Sequence, residues 1–288
     1  MRFRINPVFF IGLLGSALLL SSACGAPRTA AATQPTPAAF DPAASDAQAL
    51  EIADAMLAAI GGAEAWGQVK QIRWEVKYYQ NGDFKAWFKH VWDRWNGRHR
   101  LEMVDTDSYL KAEEAGKPND AQWVIAMYDL FDREGKGYAT FGGRNVMAED
   151  RNRIVSDAYD QWKSDSYQLA MLYKLRDPGV QLSYVGEVQE LKGKCQPGCV
   201  VIKVSFSPEV GSDTYFINVN KTTNMPEVLE KQLDGGTLGY AFEGWTELAG
   251  MRFPEKLVNL GVDEVIEISN VEIGEPDSSL FVPAGRRQ

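Results

Sequence analysis

The strongest constraint in this sequence is a strict alternation. Ile72, Trp74, Val76 and Tyr78 are apolar, and Arg73, Glu75 and Lys77 between them are charged. Successive strand side chains point to opposite faces, so the segment reads as a strand with one face buried and one in water. Asn81-Gly82 follows it, a pair that accepts the left-handed backbone of a tight hairpin. A loop of those two residues alone would set Tyr78 opposite Lys85 and Val76 opposite Trp87. Phe84, Ala86 and Phe88 would then lie against Tyr79, Lys77 and Glu75. A three-residue loop, Gln80-Asn81-Gly82, sets Tyr78 opposite Phe84, Val76 opposite Ala86, Trp74 opposite Phe88 and Ile72 opposite His90. That register is preferred, because a slip of one residue turns every side chain to the wrong face.

Asn96-Gly97 closes the next hairpin, with Trp95 opposite Arg98, Asp93 opposite Arg100, Trp92 opposite Leu101 and His90 opposite Met103. The buried face then carries Ile72, Trp74, Val76, Tyr78, Phe84, Phe88, Trp92, Leu101 and Met103. The reverse face carries an Asp93–Arg100 ion pair and a Trp95–Arg98 cation–π contact. His90 and His99 share the buried-face parity but fall about four residues apart along the ladder, roughly 13 Å at ~3.3 Å per residue. At that distance they cannot bind one metal. His99 reads as solvated near the turn, and His90 as a half-buried structural histidine rather than a catalyst.

The rest of the chain repeats the theme. Ala49, Leu50, Ala53, Met56, Leu57 and Ile60 recur at helical spacing behind a capping-box pair, Ser45 and Gln48, and Gly61-Gly62 ends that helix. A short turn of helix runs from Ala63 to Gly67. Residues 105–120 read as a polar loop, 122–133 and 137–141 as strands, and 157–175 as a helix broken near Ser164. From Val180 onward strand follows strand: 180–191, 200–206, 215–219, 228–233, 238–248, 253–260 and 262–273. Regular short strands with few helices point to a large antiparallel sheet.

Composition narrows the partners. Thirty basic against 39 acidic residues give a net charge of −9. Nucleic-acid binding, which needs clustered Lys and Arg, is excluded as a reading. Arg2 and Arg4, the apolar run Val8–Leu20 and the small residues before Cys24 have the build of a signal peptide. The order Leu20-Ser21-Ser22-Ala23-Cys24 resembles a bacterial lipobox, with Ser21 where Leu is usual. That resemblance implies cleavage after residue 23 and acylation of Cys24 (palmitate-type chains), and so a membrane anchor. The other reading is a plain secretory cut near Ala26, with Pro27 unfavourably placed after it. Of the 19 residues from Ala26 to Ala44, fifteen are Ala, Thr or Pro, so 24–44 reads as a disordered tether of about 25 Å coil dimension. Residues 284–288 read as a tail. Gly25 is not the Asp that retains lipoproteins at the inner membrane in some bacteria, which favours the outer membrane on the periplasmic side.

Cys195 and Cys199 flank a three-residue turn between two strands. A structural disulfide is the expectation. A redox pair would have two intervening residues at a helix start, and zinc would need two further ligands. No cofactor motif is present. Neither G-x-S-x-G outside the signal peptide nor H-E-x-x-H occurs, so no catalytic residue is assigned and a hydrolase is the least favoured class.

Several segments together resemble a known family. A helix ends in Ile60-Gly61-Gly62 and leads into Gln71-Ile72-Arg73-Trp74. A second helix ends in Leu175-Arg176-Asp177-Pro178-Gly179-Val180. The chain closes with Gly244-Trp245-Thr246-Glu247-Leu248-Ala249-Gly250-Met251-Arg252-Phe253-Pro254 and Leu280-Phe281-Val282-Pro283. Residues 45–283 resemble the LolA/LolB-like superfamily of periplasmic lipoprotein-sorting and lipid-binding proteins. The resemblance implies an α+β fold, an incomplete antiparallel β-barrel. Its curved sheet of roughly ten strands has helices covering the concave face, and acyl chains enter between them. No ligand-binding arginine of the sorting carriers maps onto this chain. The expected ligand is a lipid or a lipoprotein acyl chain. The residues expected to hold it are Trp74, Val76, Tyr78, Phe84, Phe88, His90, Trp92, Leu101 and Met103. Helices that simply fill this face are the competing reading. A structural or protein-interaction lipoprotein with an unknown protein partner is the competing function.

Overall fold

The computed structural model describes residues 39–132, 137–208 and 211–283. The expected signal peptide, the expected lipidation site Cys24, most of the expected tether and the expected tail 284–288 lie outside the described residues.

Thirteen strands form one antiparallel sheet. They are β1 (Gln71–Gln80), β2 (Asp83–Asp93), β3 (Arg98–Val104), β4 (Trp123–Asp129), β5 (Tyr138–Phe141), β6 (Arg144–Asn145), β7 (Val180–Val188), β8 (Cys199–Phe206), β9 (Tyr215–Asn220), β10 (Pro226–Leu233), β11 (Gly236–Leu248), β12 (Met251–Asn259) and β13 (Glu264–Gly274). Their order is β6-β5-β4-β3-β2-β1-β13-β12-β11-β10-β9-β8-β7. Two meanders therefore lie side by side, joined where the first strand pairs with the last. The sheet is curved and does not close; β6 and β7 are its free edges. Four helices accompany it: α1 (Ala47–Ala59), α2 (Ala63–Gln68), α3 (Thr106–Glu114) and α4 (Ala148–Ala170). This is the α+β fold with an open antiparallel sheet that the resemblance implies, with more strands than the sequence suggests. No helix among the described residues is long and apolar enough to cross a membrane.

The first hairpin corrects the expected register. Its loop is only Asn81-Gly82, with Gln80 opposite Asp83 and Tyr79 opposite Phe84. A bulge then absorbs Lys85, so Tyr78 faces Ala86, Val76 faces Phe88, Trp74 faces His90 and Ile72 faces Trp92. A bulge restores face parity as a longer loop would, but places the extra residue inside the strand. Phe84 thereby falls on the other face, beside Tyr79 and Tyr109.

The second hairpin has a four-residue loop, Arg94–Gly97, not a two-residue one. Asp93 pairs with Arg98, Trp92 with His99, His90 with Leu101 and Phe88 with Met103. Buried Asp93 dictates the loop. It accepts hydrogen bonds from the Asn96 backbone and side-chain amides and from the Arg98 guanidinium, whose Nη2 lies at 2.5 Å. Burial alone would raise its carboxyl, but those bonds from Arg98 and Asn96 outweigh burial and hold it below the ordinary value. The expected Asp93–Arg100 and Trp95–Arg98 pairs do not form. Arg100 meets Glu102 at 2.6 Å, and the cation over the Trp95 ring is Lys70.

Two helical readings also change. Residues 106–114, expected as loop, are α3, whose Asp105 cap accepts from the Ser108 backbone. Tyr109 and Ala112 pack there with Val104, Ala121, Phe84, Trp87 and Trp123 on the outer face, a second small core. Helix α4 runs unbroken through Ser164. Its buried residues Ile154, Val155, Ala158, Asp165 and Leu169 form one stripe on both sides of that position, and burial overrides the modest propensity of Ser.

Ser45 does not make a capping box. Asp46 is the N-cap of α1, and both residues serve strand β7. The Leu182 N–H donates to Ser45 Oγ, the Tyr184 N–H to Asp46 Oδ2, and the Asp46 N–H to the Leu182 carbonyl, each at 2.9 Å. Groups that would lie open along a sheet edge are thus satisfied by the helix entry. At the other end of α1, Gly61 sits at φ +109°, and a Cβ there would lie 2.1 Å from the Gly250 carbonyl oxygen. Only glycine allows that approach. Cys195 and Cys199 are joined as a disulfide, with Cα atoms 5.0 Å apart.

Candidate functional site

The inner face, covered by α4, carries cross-strand rows. Trp74, His90, Leu101 and Ala126 form one row; Ile72, Trp92, His99 and Tyr128 form the next. Adjacent rows bring His90 and His99 together diagonally. They are not 13 Å apart, and His99 is not solvated: its exposure is 0% and that of His90 is 1%. The misplacement follows directly from the two-residue loop expected at Asn96-Gly97. Each pair is counted outward from the turn, so an error there moves all of them.

The two imidazoles belong to a continuous polar chain. Tyr128 Oη donates to the Ala158 carbonyl of α4 at 2.9 Å. A carbonyl only accepts, so the single phenolic proton is spent there, and His99 Nδ1–H must donate to Tyr128 Oη, 2.8 Å away. Burial first, and then the neighbouring His90, hold His99 well below the ordinary imidazole value. Neutral His99 therefore presents a bare Nε2, which accepts from His90 Nδ1–H at 3.3 Å. His90 Nε2 meets Asp165 Oδ2 at 2.8 Å with one proton between them. Tyr78 Oη donates to Asp165 Oδ1 at 2.5 Å, and Gln161 Nε2 donates to the same oxygen at 2.8 Å. Burial and then the Asp165 carboxylate push the Tyr78 phenol well above its ordinary value. Every tautomer in the chain is assigned from the one group, the Ala158 carbonyl, whose role is fixed.

Aromatic rings enclose this chain. Trp74 stacks on His90 with centroids 4.2 Å apart and planes at 5°. Trp162 of α4 stands edge-on to Trp92 at 5.2 Å and lies 5.9 Å from His99. The indole N–H groups of Trp74, Trp92 and Trp162 are buried and have no acceptor among the described residues. An unpartnered buried donor costs about 1–3 kcal/mol, so three in one place are costly for a face that serves only as core.

Of the residues expected to hold a ligand, the structure gathers Trp74, Val76, Tyr78, Phe88, His90, Trp92 and Leu101 on this face, all buried. Met103 shares the face, opposite Phe88, but is half-buried. Phe84 is on the opposite side of the sheet. Asp165, Tyr128, Gln161 and Trp162 escaped the sequence reading. Asp165 alone left a trace: it is a charge at a core position of the stripe Ala158–Leu169. Neither imidazole has a nitrogen left over for a substrate proton.

The outer face holds a groove of about 850 Å³. Val91, Met127 and Ile125 form part of its floor, among Arg73, Lys89, Arg100, Glu75 and Glu102. The C-terminal turn Ser278–Phe281 and Val282 wall one side, and Arg100 Nη1 donates to the Leu280 carbonyl at 2.9 Å.

No protein-family model and no curated protein sequence matches the chain. Solved structures are similar to it at low identity. A LolA superfamily protein, NE2245 from Nitrosomonas europaea, is 11% identical, covers 80% of this chain and 97% of its own, and has a TM-score of 0.42. A DUF1329 family protein from Desulfovibrio piger ATCC 29098 is 10% identical over 81% and 97%, with a TM-score of 0.43. MucB, solved in complex with MucA(peri), is 15% identical over 81% of this chain and 60% of that one, with a TM-score of 0.24.

Proposed function

We propose that this chain is a non-enzymatic envelope lipoprotein that binds a lipid or a lipoprotein acyl chain between the inner face of its sheet and helix α4. The observation that carries the reading is the set of three buried, unpartnered indole N–H groups at Trp74, Trp92 and Trp162. They lie among large apolar and aromatic side chains that enclose the polar chain of His90, His99 and Asp165. An acyl ligand brings hydrocarbon for the apolar surface and ester or carboxylate oxygens for the donors, and sites of this kind pair an apolar wall with a few polar groups. The binding residues in this reading are Trp74, Val76, Phe88, Trp92, Leu101 and Met103, with Trp162 added and Phe84 removed. Tyr78 and His90 orient α4 through Asp165. The closed hydrogen bonding of both imidazoles supports the non-enzymatic part. The lipobox-like Cys24 supports a lipid anchor, with the domain on the periplasmic side and the outer membrane favoured.

The test uses the full chain purified from an envelope fraction in mild detergent. Mass spectrometry of its solvent extract should find a stoichiometric acyl lipid, or palmitate should change its Trp fluorescence saturably. The absence of both results sinks the reading. A stoichiometric protein partner in place of lipid would move the function to an interaction role, which the charged outer groove favours.

A further inference from the structure

The polar chain across the inner face does more than fill space. It crosses from β1, β2, β3 and β4 to α4, and every link except the proton shared by His90 and Asp165 has a fixed direction. Asp165 is the α4 residue that takes both His90 and Tyr78, and the Ala158 carbonyl is the α4 group that takes Tyr128. The titratable groups facing the imidazoles come from every packed element. Tyr78 is on β1, Tyr128 on β4 and Asp165 on α4, and Tyr159 of α4 lies one ring further out, against Tyr128 and Trp162. Tyr240 of β11 lies behind Tyr78, itself hydrogen-bonded to Glu264 of β13.

This arrangement holds one proton per link. Between His90 and His99 the link needs a donor on one nitrogen and a lone pair on the other, 3.3 Å apart. A proton added at His99 Nε2 turns the link into two N–H groups pointed at each other. His99 cannot rotate away without giving up Tyr128, and His90 cannot without giving up Asp165. We propose that the His90–His99–Asp165 chain is an acid-released latch, in which uptake of one proton at His99 breaks the bond between the imidazoles and frees α4 from the inner face of the sheet. The latch stands whether or not a lipid occupies that face.

The sign follows from proton counting. Closed, His99 carries no second proton; open and hydrated, it regains an ordinary imidazole value of about 6.5. Opening therefore takes up one proton below that pH, and the opening constant rises about tenfold per pH unit as the pH falls from about 6.5. Above it, His99 contributes no slope. Desolvation of His99, reinforced by His90, keeps the closed form unprotonated well below the ordinary imidazole value, so the one-proton slope continues below about pH 6.5.

Hydrogen–deuterium exchange of the full chain, corrected for intrinsic exchange and read over pH 7.5 to 4.5, tests this. Peptides from 148–170 should open about tenfold faster per pH unit below about 6.5, while peptides from β8–β10 stay flat. The variant His99→Gln should lose that slope. An α4 whose opening is independent of pH in the wild-type chain overturns the proposal, even if His99→Gln does not fold. Parallel opening of α4 and β8–β10, which marks plain acid unfolding, overturns it as well.

Discussion

His90 Nδ1 lies 3.3 Å from His99 Nε2, and both rings are shut away from solvent beneath α4. The contact joins two neighbouring strands, and through Asp165 it joins both of them to the helix that covers them. A polar chain in an aromatic core is useful only when every member is paired. That condition explains why Gln161 and Gln168 of α4 also converge on Asp165 and Tyr78.

Removing the helix end of this chain is expected to be costly. Asp165→Ala leaves His90 and Tyr78 without their acceptor in a dry site, and truncating one partner of a buried pair costs about 3–5 kcal/mol. Urea unfolding monitored by circular dichroism measures it. A loss under 1 kcal/mol would mean that water replaces the carboxylate and that the site is wetter than its burial indicates.

The tyrosines give an alkaline prediction. Burial is the leading cause that raises the phenols of Tyr78, Tyr173, Tyr215 and Tyr240 above the model-peptide value of 10.0; a neighbouring carboxylate adds to it for Tyr78, Tyr215 and Tyr240. A group whose folded value is raised stabilises the fold below its unfolded value and loses that contribution as pH rises past it. Stability should therefore fall above about pH 10. Absorbance at 295 nm should show these four ionising together with unfolding, whereas early, independent ionisation of all tyrosines would contradict their burial.

The β7 edge offers a third test. Ser45→Ala with Asp46→Ala removes two acceptors from the Leu182 and Tyr184 backbone. A loss of about 1–2 kcal/mol is expected, together with concentration-dependent self-association through the uncovered strand. Light scattering at increasing concentration distinguishes the edge effect from simple destabilisation.

Gly61→Ala tests the seam between α1 and the turn before β12. The new methyl would overlap the Gly250 carbonyl at 2.1 Å in a backbone conformation that disfavours side chains. A loss of at least about 2 kcal/mol is expected, read as a lower melting temperature. An unchanged melting temperature would show that the turn at Ala249-Gly250 moves freely.

Much of the sheet was legible because its signals are local. The alternation from Ile72 to Tyr78, the Asn-Gly turns and the strand succession after Val180 each follow from neighbouring residues. The site was not. Lys85 looks like an ordinary member of an alternating strand, and nothing nearby shows that it is bulged out. Asn96-Gly97 is a strong two-residue turn signal, but Asp93 finds Arg98 and Asn96 in three dimensions and lengthens the loop. Helix α3 has only Tyr109 and Ala112 to bury, too little for a periodic signal.

By itself, then, the sequence determined a large antiparallel sheet with an aromatic face, since strand periodicity and turn chemistry act within a few residues. Only the tertiary structure decided that His90 and His99 touch, that Asp165 closes the chain and that Phe84 faces outward. Register adds up from turn to turn, so one bulge or one longer loop reassigns the neighbours of every residue beyond it.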